Sequence, residues 1–183
     1  MGRDAMDGAG ADDSHLVLVG LMGAGKTTVG YQCAKRLGRP FVDTDDLVQT
    51  AAGMTVAELF AVSGEGRFRA MEREAVADAC ASPTPAVIAC GGGAVLHADN
   101  RKRLQSCGFV VWLQAPPEVL ADRVGAGMQR AERPLLAGGP ASTLERLGAV
   151  RAGAYEAVAD AVVDTEGRSV DEVVGAVLEV YPQ

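Results

Sequence analysis

Residues 20–27 read Gly20-Leu21-Met22-Gly23-Ala24-Gly25-Lys26-Thr27, the pattern G-x-x-x-x-G-K-[ST]. The stretch stands between an apolar, β-branched run, Leu16 to Val19, and a segment of helical period that opens at Lys26. A glycine-rich turn between strand and helix lets successive backbone N–H groups converge on phosphate oxygens, and the helix adds its positive end. In that reading Lys26 bridges the β- and γ-phosphates and the Thr27 hydroxyl ligates Mg²⁺. The pattern specifies a nucleotide but no reaction: a switch, a motor and a small-molecule kinase all use it.

Outward from this loop, apolar runs alternate with segments of helical period. Strands are expected at Leu16 to Val19, near Pro40 to Val42, at Ala86 to Cys90, Phe109 to Leu113 and Ala161 to Val163. Helices are expected at Lys26 to Leu37, as a pair within Asp45 to Ser63, and at Arg67 to Ala81, Asp99 to Cys107, Pro117 to Val124, Thr143 to Ala159 and Val170 to Val180. Strand-helix alternation predicts an α/β, three-layer P-loop fold with a five-stranded parallel sheet flanked by helices. Residues 1–14, rich in Gly and Asp, read as a flexible tail, and 15–183 as a single domain. Gly125 to Pro140 surrounds arginines with glycine and proline, the composition of a mobile lid at about 125–140.

Composition narrows the partners. The 183-residue chain has 24 acidic and 17 basic residues and a net charge of -7, so no dense basic face for a nucleic acid is expected. Its apolar runs fall far short of the roughly 20 residues that span a bilayer. Cys33, Cys80, Cys90 and Cys107 form no C-x-x-C pair, which favours free thiols in a reducing cytoplasm. His15 and His97 lack ligand-spaced partners and are expected at the tail edge and on a loop surface; Trp112 is expected in the core.

The acceptor side starts at Phe41-Val-Asp43-Thr-Asp45-Asp46. Alternation at a strand end points Asp43 and Asp45 the same way, toward the carboxyl edge, where one can sit near the metal and the other can accept a proton. Asp46 is expected to cap the next helix. Arg67-Phe-Arg69-Ala-Met-Glu72 is expected to open a helix, where arginines oppose the dipole, and the three-residue spacing of Arg69 and Glu72 allows a pair that orients the guanidinium.

Taken together, GLMGAGKTT, VDTDD, FRAMERE, CGGGAV, RPLL and RAGAYEAVAD resemble the shikimate kinase family in order and approximate spacing, from Leu16 to the C-terminal helix. The resemblance implies transfer of the ATP γ-phosphate to the 3-hydroxyl of shikimate, an intermediate of aromatic amino acid biosynthesis; a monomer is expected because every expected helix is needed to cover the sheet. It implies Gly23, Ala24, Gly25, Lys26, Thr27 and Thr28 as ATP-binding, Thr27 and Asp43 as the Mg²⁺ side, and Asp45 as the base. Arg69 and Arg151 would hold the substrate carboxylate, Gly91 and Gly92 would offer backbone to the substrate, and Arg133 in RPLL would close over the transferring phosphate. For the adenine, Arg123 and Arg130 are the candidates, with Arg123 preferred. Cys90 departs from the Ser or Thr usual before the three glycines, and a thiol is a poor Mg²⁺ partner. Another small-metabolite kinase, such as a gluconate kinase, or a nucleotide-dependent binding module without turnover are the alternatives.

Overall fold

The computed structural model describes residues 14–127 and 140–182. In chain order the strands are β1 (His15–Val19), β2 (Phe41–Asp43), β3 (Val87–Ala89), β4 (Gly108–Gln114) and β5 (Ala161–Asp164). The helices are α1 (Lys26–Leu37), α2 (Thr44–Ala52), α3 (Val56–Cys80), α4 (Ala98–Cys107), α5 (Pro117–Gly127), α6 (Pro140–Val158) and α7 (Val170–Val180). A single 3₁₀ turn, Ala94–Leu96, joins β3 to α4.

The five strands are ordered β2-β3-β1-β4-β5, and every pairing is parallel. β1 lies at the centre, with all five residues buried, as expected of a strand covered on both faces. From β1 the chain crosses to the edge strand β2, returns to β3, and then passes to β4 on the other side of β1. The resulting change of direction leaves a crevice beyond the carboxyl ends of the strands, where α/β sheets bind ligands. The 20–27 loop follows β1 directly into it.

The two helices expected on either side of Ser63 are present as the two arms of α3, which meet at Gly64, a non-helical residue at φ 74 and ψ 173. That positive φ is open to glycine, so the first arm ends there and the second starts in a new direction without an intervening loop. Arg67 and Arg69 therefore lie just beyond a kink, inside α3, and its N-terminus is closed by a Thr55–Glu58 capping box. Gly125–Gly127 extends α5 and Pro140 starts α6, so both edges of the stretch read as a lid are helical; residues 128–139 lie outside the described residues, as do 1–13 of the tail.

His15 departs from its expected place. It is 4% exposed at the start of β1, where Nδ1 accepts the Ala86 N–H at 3.0 Å, and desolvation lowers its pKa. His97 is exposed and caps α4. Trp112 stacks on Tyr155 with centroids 5.4 Å apart. Among the described residues no single helix is long and apolar enough to cross a membrane.

Candidate active site

The segments that follow β1, β2 and β3 deliver most of one cavity at the carboxyl edge, and Arg123 of α5 and Arg151 of α6 complete its wall. After β1, Gly23 and Gly25 adopt φ 84 and 91, values that strain any side chain. Gly25 caps α1 without a side-chain hydrogen bond, which leaves the first amides of α1 for an anion. Lys26 Nζ donates to the Leu21 carbonyl at 2.9 Å, across the loop.

β2 delivers the carboxylates. Asp43 Oδ2 accepts from Thr27 Oγ1 at 2.8 Å, which brings together the two residues expected on the metal side. Asp43 Oδ1 accepts from the Asp45 N–H at 3.0 Å and so caps α2. The cap expected from Asp46 is thus made by Asp43, the last extended residue before the helix; Asp46 is exposed and accepts from Gln49 Nε2 at 3.3 Å. Thr27 and Asp43 present only oxygen, the donor type that Mg²⁺ takes from a protein when phosphates and water complete its shell. No larger cluster of potential metal ligands exists among the described residues. Cys90 also lines the cavity, and burial drives its thiol pKa well above the usual value, so the sulfur stays a neutral, soft group unsuited to Mg²⁺.

Asp45 points into the same cavity. Its Oδ1 is buried and accepts no hydrogen bond among the described residues, and the same is true of Glu72 Oε1. Both oxygens converge on the turn after β3: a methyl group at Gly91 would lie 2.5 Å from Asp45 Oδ1 and 2.9 Å from Glu72 Oε1. Desolvation, reinforced by the neighbouring Asp43 charge, raises the Asp45 pKa, while Lys26 and Arg69 oppose the shift. The result is a carboxylate with a strengthened demand for a proton.

Arg69 and Arg151 approach from α3 and α6. Arg69 Nη1 bonds Glu72 Oε2 at 2.7 Å, the pairing expected from their spacing, and its other side bonds Glu65 at 3.2 Å. Arg151 is 3% exposed; Nη1 donates to the Gly92 carbonyl at 3.0 Å, and Nε has no partner among the described residues. A Cβ at Gly93 would overlap the Arg69 guanidinium. At Gly91 and Gly93 the carboxylates and the guanidinium of the site occupy the space a side chain would need, whereas a Cβ at Gly92 would meet only ordinary contacts at 3.4 Å.

Four contributors escaped the motif reading. Thr44, the first residue of α2, is buried between the two aspartates and accepts the Gly91 N–H at 2.9 Å. Tyr155 donates its hydroxyl to the Gly92 carbonyl at 2.6 Å, and burial pushes its pKa up to about 12, so it remains a donor. Glu65 braces Arg69, and Thr165, just after β5, takes Arg123 through its hydroxyl at 2.8 Å and its carbonyl at 2.6 Å. The RAGAY motif carries the only advance signal, for Tyr155. Arg123 does reach the cavity wall; Arg130 and Arg133 lie outside the described residues.

The cavity holds about 960 Å³, room for a nucleotide beside a small second molecule. A phosphate-binding loop, an oxygen pair for a divalent cation, an unpartnered carboxylate and two acceptor-side arginines define a P-loop phosphotransferase that acts on a small molecule. The comparisons narrow the class. The family model for shikimate kinase matches residues 22–182. The shikimate kinase of Symbiobacterium thermophilum is 52% identical over 167 residues, 90% of this chain and 94% of that protein. That of Streptomyces coelicolor is 45% identical over 164 residues, 90% and 93% of the two chains. Among solved structures, shikimate kinase from Acinetobacter baumannii in complex with shikimate superposes with a TM-score of 0.86 at 34% identity, covering 91% of this chain and 92% of that one. A gluconokinase from Sinorhizobium meliloti reaches 0.58 at 21% identity, covering 91% and 90%, a likeness of fold alone. The chain belongs to the shikimate kinase family, ATP-dependent phosphotransferases with an alcohol group of shikimate as acceptor.

Proposed function

We propose that the enzyme moves the γ-phosphate of ATP to the 3-hydroxyl of shikimate with Asp45 as base, Arg69 and Arg151 on the substrate carboxylate and Thr27 with Asp43 on Mg²⁺. The carrying observation is the buried, unpartnered Oδ1 of Asp45 in a cavity shared with Lys26, Arg69 and Arg151. Phosphoryl transfer asks chiefly for alignment and charge stabilisation. The α1 amides and Lys26 hold the β- and γ-phosphates, with Gly23 to Thr28 as the cradle; the triglycine turn, at Gly91 and Gly92, sets the floor beneath the acceptor. Asp45 takes the proton of the attacking hydroxyl as the new O–P bond forms and the bond to ADP breaks. Mg²⁺, when bound, neutralises charge on the phosphates. Arg123, held by Thr165 at the cavity wall, is assigned to the adenine, and Arg133, through its RPLL context, to the transferring phosphoryl group. The enzyme is assigned to the cytoplasm as a monomer.

The test is ADP release from the purified chain with shikimate, with gluconate and with neither, and phosphorus NMR of the product. Release that depends on shikimate, yielding the 3-phosphate, is expected. Equal ADP release without shikimate, or a preference for gluconate, overturns the assignment.

A further inference from the structure

Outside the active site, two cysteines meet at the ends of two helices. Cys80 is the last residue of α3 and Cys107 the last of α4, and Cys107 Sγ lies 2.8 Å from Cys80 Sγ. Nonbonded heavy atoms rest at roughly 3.5–4 Å, and a formed disulfide measures about 2.05 Å. A displacement of less than about 1 Å therefore separates contact from bond. Both thiols are free and half-buried, whereas Cys33 and Cys90 are buried. The seam between α3 and α4 opens to solvent in a recess of about 250 Å³, lined by Arg73, Ala77 and Arg103 together with Glu74 and Asp99. Ala77 and Arg103 stand one helical turn before the two cysteines, so the recess ends one turn from the pair, and both thiols keep partial exposure of their own.

We propose that Cys80 and Cys107 form a reversible redox site, oxidised to an intramolecular disulfide by a small-molecule disulfide of the oxidised-glutathione class. The Cys80 thiolate attacks one sulfur of the reagent and expels one small thiolate, leaving a mixed disulfide. Cys107, deprotonated by solvent or by that leaving thiolate, then attacks the Cys80 sulfur and expels the second. Two protein S–H groups and one small disulfide become one protein disulfide and two small thiols. The contact lets one sulfur share the other's proton, so the pair gives up its first proton more readily than a lone half-buried thiol would, and the Arg103 charge favours the thiolate on Cys80. Written with Cys80 attacking first, the exchange ends in the same bond as with the two roles reversed.

The bond would close a ring between residues 27 apart in sequence, enclosing β3 and the triglycine turn. Such a ring restricts the unfolded chain more than the folded one. Arg69 lies 11 residues before Cys80 on α3, about 16 Å along the helix axis, so the bond acts on stability and leaves the reacting atoms alone. It is the kind of disulfide a reducing compartment admits, transient and responsive to the thiol pool.

The experiment equilibrates the full chain in buffers of graded oxidised-to-reduced glutathione ratio and follows intact mass, denatured thiol count, peptide linkage, Tm and turnover. Oxidation is expected to lower the mass by about 2 Da and to reduce the count of the four thiols to two. Digestion should join the Cys80 and Cys107 peptides, Tm should rise by about 5–10 °C, and turnover should stay within about twofold. Added thiol should reverse all of these, and Cys80→Ser and Cys107→Ser should each abolish the mass loss and the rise in Tm. Persistence of four thiols, glutathione left bound as a stable adduct, a link through Cys33 or Cys90, or a link between two chains each overturns the proposal.

Discussion

The two halves of the active site are built differently. The phosphate side comes from one contiguous stretch, Gly20 to Thr28, and is made largely of backbone: three glycines at positive φ, Gly20, Gly23 and Gly25, and the start of α1 without a side-chain cap. The acceptor side is made of side chains from α2, α3 and α6 arranged around the turn after β3, and they are buried and interlocked. A backbone cradle binds any nucleotide phosphate, since every residue carries the same amide. On the proposed assignment, a wall of charges would select one acceptor, because Arg69 and Arg151 are each fixed by a partner in the protein while Asp45 Oδ1 has none among the described residues.

Breaking the acceptor side at its base has the largest expected effect. Asp45→Asn should lower kcat by about 10²–10⁴-fold with little change in ATP binding, measured by steady-state turnover and nucleotide titration. Because burial and Asp43 raise the pKa of this carboxylate, its ionised form costs the folded state stability above the ordinary carboxylate pKa. The same variant should therefore show a higher Tm at pH 8. Full turnover in Asp45→Asn removes the base from the mechanism.

Arg151→Ala should raise the KM for shikimate by about 10–100-fold while the KM for ATP moves less than about twofold, in matched kinetics of both substrates. Equal effects on the two would erase the distinction between the halves. Gly93→Ala tests the space rather than the charge: its methyl would overlap the Arg69 guanidinium, so a rise in shikimate KM of about tenfold is expected. Cys90→Ser, at the border of the halves, should have the smallest effect. It replaces a neutral buried thiol by a hydroxyl compatible with a hydrated cation, so kcat should hold within about twofold and the Mg²⁺ requirement should stay or fall. A large loss of activity would show that the thiol itself takes part.

This difference in construction also governs what could be read in advance. The loop and α1 were legible because backbone geometry is written locally, in glycine positions and helical period; α1 and α7 begin and end where the periodicity places them. Asp45, Arg69 and Arg151 were legible through their motifs and do line one cavity. Their supports were not. Thr44 matters because it meets Gly91, 47 residues on. Thr165 matters because it meets Arg123, 42 residues earlier. His15, without a motif, reads as tail edge until Ala86 is brought beside its ring.

By itself the sequence determined the order of strands and helices, the phosphate loop and the acceptor motifs, since hydrophobic period, glycine placement and residue chemistry act over a few neighbours. Only the tertiary structure decided which oxygen of Asp45 stays unpartnered, why Gly91 and Gly93 have no room for side chains, and that Cys80 meets Cys107. Each of these depends on distances between residues far apart in the chain, and parallel packing of the sheet and its helices is what brings them within reach.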